Sequence, residues 1–150
     1  MEFELLTEAH LPRLAPLYRD AFNASPWNDR WTCETVTARL SQMLHCEGFY
    51  GLVCYEDGVL CGMILGNQEV YYDKLQFQIK EFCVSAQWKG SGIGGKLLAE
   101  MERRLAERGI GEIYLFTQHA PENEGFYQKR GYRTAEQLVI MNKELFDKKA

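Results

Sequence analysis

A chain of 150 residues suits one domain with a real hydrophobic core, so we expect residues 1–150 to form a single domain. Its 46% hydrophobic and 25% charged residues are ordinary for a globular protein, and a net charge of −4 argues against a nucleic-acid-binding surface. No apolar run approaches the ~20 residues of a membrane span, the N-terminus lacks the pattern of a signal peptide, and the five cysteines form no C-x-x-C pair. We therefore expect a cytoplasmic protein without a disulfide framework, a membrane partner or a nucleic-acid partner, and the three scattered histidines predict no metal site.

The N-terminal part of the chain predicts one strand followed by two helices. Residues 3–6 predict a short strand, and apolar residues at helical spacing in residues 11–22 predict a first helix. Pro16 should kink or delay that helix, because proline lacks the N–H group that the helix ladder needs. After a loop at residues 23–30, Thr32 is a plausible N-cap for the second helix.

The remaining elements predict an α/β domain with a mixed sheet. Residues 49–55 and 59–69 predict a hairpin around Asp57-Gly58, which is a strong turn signal, and residues 77–84 predict the next strand. Further elements are a helix at 93–108, a strand at 113–116, a short helix at 122–130, and one or two last strands within 132–145. The two strands that flank the helix at 93–108 should be parallel, as in other β-α-β units.

The most informative segment is a glycine-dense turn, Gly90-Ser91-Gly92-Ile93-Gly94-Gly95, between a predicted strand and a predicted helix. Such a turn binds phosphate, because the first N–H groups of a helix are unpaired and the helix dipole favours negative charge. A dinucleotide site would need an acidic residue about 20 positions later, at the end of the next strand, but that strand ends with Phe116-Thr117-Gln118-His119 and has no acid there. A nucleoside triphosphate site would need Ser or Thr at the position of Leu97. Coenzyme A is the third candidate, because residues 87–92, Gln-Trp-Lys-Gly-Ser-Gly, fit the pattern Q/R-x-x-G-x-G/A.

Residues 84–94, Val-Ser-Ala-Gln-Trp-Lys-Gly-Ser-Gly-Ile-Gly, resemble the V-x-P-x-x-R-G-x-G-I-G run of the GNAT superfamily of N-acyltransferases. They depart from it at Ala86 and Lys89. Residues 126–132, Phe-Tyr-Gln-Lys-Arg-Gly-Tyr, are similar to a second run of that family, F-Y-x-K-x-G-F. The resemblance covers nearly the whole chain and implies a GNAT-like fold, a central mixed sheet flanked by helices. It also implies transfer of the acetyl group of acetyl-CoA to an amine.

The same resemblance implies positions for the acyl donor. The pyrophosphate is expected on the turn formed by Gln87, Lys89, Gly90, Ser91, Gly92, Ile93, Gly94 and Gly95, chiefly on backbone N–H groups. The pantetheine arm is expected along the backbone of Phe82, Cys83 and Val84. Asn123 is a further candidate for the arm, although the family often has its asparagine at the position of Ala120. Cys83 could instead be a nucleophile, but a small buried core residue is the better interpretation.

Two residues are candidates for proton transfer. Tyr127 is the expected general acid, because a phenol is protonated at neutral pH and can donate to a thiolate. Glu81 is the expected general base, and its alternative is a structural salt bridge with Lys80 or with a helix cation. A carboxylate in a mostly apolar strand needs either an interaction partner or a functional role to offset the cost of its burial. Glu69 and Asp73 are reserve candidates for the base.

The acceptor amine is expected at the loop that contains Trp27, Asp29 and Trp31, where ring faces and a carboxylate could hold a cation. Tyr71, beside Tyr72, belongs to a similar cluster, and the alternative is that the two tryptophans only pin the loop to the core. Aminoglycosides, polyamines, amino acids and protein N-termini all remain open as acceptors. The alternatives to a small-molecule enzyme are a protein or peptide acetyltransferase and an acyl-CoA-binding module without turnover, and a homodimer is possible.

Overall fold

The computed structural model describes residues 1–146; residues 147–150, the end of the predicted single domain, lie outside it. The chain divides into two compact units, one from Met1 to Phe116 and one that begins at Thr117. Within residues 1–146, no helix is both long enough and apolar enough to cross a membrane.

The first unit is built on a five-stranded sheet in which the strands lie in chain order. The strands are β1 (Glu2–Leu5), β2 (Phe49–Glu56), β3 (Val59–Val70), β4 (Leu75–Val84) and β5 (Ile110–Leu115). The first four pair antiparallel, and β4 pairs parallel with β5, as predicted for the two strands that flank a helix. The β2–β3 hairpin turns at Asp57 and Gly58, both with positive φ, which confirms the Asp-Gly prediction.

Two helices, α1 (Leu11–Asn23) and α2 (Cys33–Leu44), pack together on one face of the sheet. Thr32 caps α2 as predicted: its side chain accepts from the N–H of Thr35 at 3.1 Å. Pro16 does not delay the helix, since α1 begins at Leu11 and continues through the proline. Its neighbours Leu14, Ala15 and Tyr18 are buried, so packing against the sheet outweighs the missing hydrogen bond.

A longer helix, α3 (Ile93–Glu107), covers the other face of the sheet. A Cβ added at Gly62 of β3 would lie 3.4 Å from Leu97 of α3 and 3.2 Å from Sγ of Cys54. Cys54 alternates with Val53 and Tyr55, which belong to the core beneath α1 and α2. The sheet is therefore covered on both faces, and the glycine turn at the start of α3 follows directly from β4.

The second unit contains one helix, α4 (Pro121–Gln128). The prediction of one or two strands within residues 132–145 was wrong, because that segment forms no strand. Its apolar residues Leu138 to Met141 are exposed. Their β-branched and apolar character favours a strand, but a strand is stable only when a neighbouring ladder pairs with it.

Candidate active site

A bulge in β4 displaces its ladder at the predicted base. Leu65 of β3 faces Glu81, whereas the next residue, Gly66, faces Ile79, so Lys80 is an additional residue without a partner in the β3 ladder. The two backbones approach closely here, because a Cβ added at Gly66 would lie 1.8 Å from the carbonyl oxygen of Gln78. Only glycine fits that approach. The bulge lies directly before Glu81.

Glu81 is a buried carboxylate with a cationic partner. Its side chain is 6% exposed, and the guanidinium Nε of Arg39 donates to its Oε1 at 2.7 Å. Burial raises the pKa of Glu81, and the hydrogen bond and charge of Arg39 act in the opposite direction. Tyr18 of α1 is a second neighbour; burial and the adjacent carboxylate raise its pKa, so its hydroxyl stays protonated. The sequence alternative of a helix cation is therefore present, and the cation is Arg39 rather than Lys80.

The loop between α1 and α2 fixes Trp31 beside this pair. The Asn23 side chain both accepts from the Trp31 N–H at 2.8 Å and donates to the Trp31 carbonyl at 2.9 Å. The indole N–H donates to Asp29 at 3.0 Å, and the Arg39 guanidinium lies 5.7 Å above the indole ring. Asp29 is also close enough to contribute to the raised pKa of Glu81. Trp31 and Asp29 thus lie beside the Glu81–Arg39 pair.

The other predicted acceptor residues make different contacts. Trp27 packs edge-on against Phe22 at 5.2 Å between ring centroids, which fits the alternative that it pins the loop to the core. Tyr71, Tyr72 and Asp73 lie in the turn after β3, where Val70 pairs with Leu75. That turn is about 20 Å along β4 from Glu81 at ~3.3 Å per residue. Glu69, which pairs with Gln76, is also near that end of the strand.

The pairing between β4 and β5 ends before β4 does. The parallel ladder runs from Leu75 with Ile110 to Ile79 with Leu115, whereas β4 continues to Val84. Phe82, Cys83 and Val84, the predicted contacts of the pantetheine arm, therefore lie beyond the last β5 pair. Cys83 is buried, and burial raises the pKa of its thiol, which agrees with a core residue rather than a nucleophile.

The glycine turn has the shape of an anion site. Gly90 and Gly92 have φ of 81 and 84, and a Cβ added at either would meet no atom within 4 Å, so a ligand can approach the backbone. The ladder of α3 begins with the Lys96 N–H donating to Gly92 O at 3.2 Å, which leaves the first-turn N–H groups for a ligand. The N–H groups of Lys89 and Ser91 are instead used inside the turn, donating to Ala86 and Trp88.

These observations fit a pyrophosphate group, and the remaining contacts of the turn can be assigned. Ile93, Gly94 and Gly95 are the first three residues of α3, and their N–H groups point out of its positive end. Gln87 and Lys89 are exposed beside the turn, where their side chains are accessible to an anion. When bound there, acetyl-CoA would supply the thioester.

The second unit carries the other two predicted residues. Tyr127 and Asn123 lie four positions apart on α4, and therefore share a helix face. Tyr127 packs edge-on against Phe126 at 5.1 Å and against Tyr132 at 5.5 Å. Burial raises the pKa of Tyr127 to about 12, so its phenol is protonated at neutral pH. The Asn123 amide donates to Gln118 at 3.5 Å, at the upper limit for a hydrogen bond.

Arg39 and Tyr18 are the residues that sequence reasoning missed. Arg39 is 42 positions from Glu81, and the turn of α2 that contains it resembles any amphipathic helix with a cation beside its apolar stripe. Tyr18 lies within the helical pattern of residues 11–22, where its spacing indicates only a core-facing position. The available signal was Glu81 itself, a lone carboxylate in an apolar strand that required a cation from some helix.

Comparison with known proteins decides the family. Residues 21–146 match the family model described as "Acetyltransferase (GNAT) domain". The chain belongs to this family. As a GNAT acetyltransferase it is an enzyme, and enzymes of this family use acetyl-CoA as acyl donor.

Three similar proteins illustrate the range of the family. An acetyltransferase from Pectobacterium atrosepticum is 23% identical over 150 residues, covering 98% of this chain and 97% of its own. The structure of a ribosomal-protein-alanine N-acetyltransferase from Brucella melitensis superposes with a TM-score of 0.76 at 17% identity, covering 95% of this chain and 100% of its own. The structure of an aminoglycoside N-acetyltransferase in complex with CoA superposes with a TM-score of 0.73 at 16% identity, covering 95% of this chain and 93% of its own. At these identities the two structures show the fold alone.

Proposed function

We propose that this GNAT acetyltransferase moves the acetyl group of acetyl-CoA to a primary amine of a small molecule, by direct attack in a ternary complex. The observation that carries the proposal is Glu81, a buried carboxylate just beyond the end of the β4–β5 ladder and next to the loop of Trp31 and Asp29. A raised pKa makes this carboxylate a better base than an exposed glutamate.

The proton balance assigns a role to each side chain. An amine arrives as an ammonium ion, and Glu81 takes a proton from it, so that the neutral nitrogen can attack the carbonyl carbon. The C–N bond forms, the C–S bond breaks, and the nitrogen loses its second proton. One proton goes to the departing thiolate, and Tyr127 is the proposed donor, because its raised pKa keeps it protonated. The net reaction releases the amide, the free thiol and one proton.

The first-turn N–H groups of α3 would hold the pyrophosphate, and the backbone from Phe82 to Val84 would bind the pantetheine amides. Trp31 and Asp29 would orient the ammonium group before its proton is removed, through the ring face and the carboxylate. Asp29 already accepts from the indole N–H, so the loop is organised before the acceptor binds. This preorganisation places the amine without a further ordering cost.

The test is steady-state kinetics with acetyl-CoA and a panel of amines, followed by mass spectrometry of the products. Glu81→Gln should lower kcat about 100-fold, and Tyr127→Phe should lower kcat by at least about tenfold, since general acid–base groups contribute factors of that order. Glu69→Gln is the matched control, because this glutamate lies near the far end of β3, and its kinetics should equal those of the wild type. Acetyl-CoA binding without transfer to any amine would instead identify a binding module. Full activity in both Glu81→Gln and Tyr127→Phe would show that neither Glu81 nor Tyr127 has the role proposed for it.

A further inference from the structure

A cavity of about 440 Å³ lies against β4 next to the Glu81–Arg39 pair. Its volume is within the range of small-molecule sites. It is lined by side chains from α2, from β4 and from the residue after β5: Arg39, Met43, Gln78, Ile79, Lys80 and Phe116. Two of these are cations, one is an amide and three are apolar, and the lining contains no carboxylate.

The two cations are not neutralised equally. Arg39 gives its Nε–H to Glu81, but a guanidinium has five N–H donors and the Arg39 side chain is 43% exposed. Lys80 is the exposed bulge residue, and within residues 1–146 no carboxylate pairs with it. One positive charge therefore remains in the cavity after the pair with Glu81 is counted.

Two carboxylates on neighbouring segments, Glu112 and Asp29, are already engaged. Glu112 of β5 accepts from Gln76 at 2.6 Å and lies 3.4 Å from the ammonium of Lys74. Asp29 accepts from the indole of Trp31 at 3.0 Å. These contacts leave the positive charge at Lys80 and Arg39 for a ligand.

We propose that the acceptor is a small amine that also carries a carboxylate, with the chemistry of an amino acid that has an apolar side chain. This inference rests on the proposed function. The ammonium group of Lys80 and the outer N–H groups of Arg39 would donate hydrogen bonds to the carboxylate, and the Gln78 amide would be a further donor. Met43 and Phe116 would contact the apolar side chain. The amine would then point toward Glu81, which Arg39 already binds.

The same charges disfavour a polycationic acceptor. An aminoglycoside or a polyamine would bring several ammonium groups close to Lys80 and Arg39, and like charges at short range repel each other. Arg39 also suits carboxylate recognition because its position is fixed by Glu81 on one side and by the ring of Trp31 on the other. A fixed guanidinium loses little side-chain freedom on binding.

The experiment measures acetyl transfer from acetyl-CoA by the wild-type enzyme to three matched sets of amines. The first set contains apolar amino acids such as methionine and phenylalanine. The second contains their carboxamides, which keep the amine and side chain but lose the negative charge. The third contains spermidine and an aminoglycoside. We expect kcat/KM for the free acids to exceed that for the carboxamides by at least about tenfold, as expected for loss of a charge-assisted contact.

Variants of Lys80 separate recognition from folding. Lys80→Gln should raise KM for the amino acid about fivefold with little change in kcat, whereas Lys80→Arg should retain a KM close to that of the wild type. KM for acetyl-CoA should not change in either variant. Because Lys80 is exposed and outside the β3 ladder, both variants should fold, and circular dichroism checks this.

Two failures can be distinguished. The carboxylate proposal would be overturned if the enzyme preferred carboxamides or polyamines to free amino acids, or if Lys80→Gln left KM for the amino acid unchanged. Either result would leave the proposed acetyltransferase function standing. No transfer to any amine of the three sets would overturn both.

Discussion

Replacing Arg39 with methionine tests how the buried carboxylate of Glu81 is stabilised. Methionine keeps an unbranched side chain of similar reach and removes the charge and the 2.7 Å hydrogen bond. Removing one partner of a fully buried pair costs roughly 3–5 kcal/mol, because the other charge is left without compensation. Arg39 is 43% exposed, so solvent screens this pair, and we expect a loss of about 2 kcal/mol at neutral pH. For a chain of this length that corresponds to a fall in Tm of about 4–8 °C.

The pH dependence of this loss has a definite sign. Burial already raises the pKa of Glu81 in the folded protein, and Arg39 opposes that rise. A raised folded-state pKa stabilises the protein below the ordinary pKa of glutamate, and this stabilisation is lost as the pH rises through the folded-state pKa. Without Arg39 the pKa rises further. The variant should therefore be most destabilised at neutral and alkaline pH, and the difference from the wild type should shrink as the pH falls and Glu81 becomes protonated.

Urea unfolding of both proteins at about pH 5 and about pH 8 measures this difference. Arg103→Met is the matched control, because Arg103 is an exposed helix arginine that pairs with Glu100 and Glu107, and its loss should be under about 1 kcal/mol. The double variant Arg39→Met with Glu81→Gln should be more stable than Arg39→Met alone, since no buried charge remains. An equal loss at both pH values, or a double variant that is no more stable, would refute the electrostatic reasoning.

Two further predictions concern the backbone and the caps. Gly92→Ala should weaken acetyl-CoA binding about tenfold or more, because its Cβ would occupy the open space before the first turn of α3. Gly109→Ala is the matched control, because Gly109 also has a positive φ, of 86, but lies beyond the other end of that helix. Both variants should lose about 1–2 kcal/mol of stability, and calorimetric titration should find an unchanged affinity for acetyl-CoA in Gly109→Ala only. Thr32→Ala should lower the free energy of unfolding by about 1 kcal/mol, because it removes the N-cap bond to Thr35, and Thr32→Ser should restore most of it in the same urea assay. Equal acetyl-CoA affinities in the two glycine variants, or an unchanged stability in Thr32→Ala, would contradict these predictions.

Local features of the first unit could be predicted because their causes lie within a few residues. The cap at Thr32, the turn at Asp57-Gly58 and the glycine turn before α3 all depend on short-range backbone preferences and hydrogen bonds. The uninterrupted start of α1 before Pro16 and the lack of a strand from Leu138 to Met141 were not predicted, for the opposite reason. Packing against the sheet decides the first, and the presence or absence of a neighbouring ladder decides the second.

The Glu81–Arg39 pair illustrates the same division. The apolar strand around Glu81 indicates from its own composition that this carboxylate needs a partner, but Arg39 lies 42 positions away on another element. The bulge at Lys80 depends on the register of β3 against β4, to which distant residues contribute. Charge and hydrogen-bonding capacity are properties of single residues, whereas burial and distance exist only after the helices pack on the sheet. For this reason an anion-binding turn could be predicted from one short segment, while the cavity beside Arg39 and Lys80 emerged only from the folded chain.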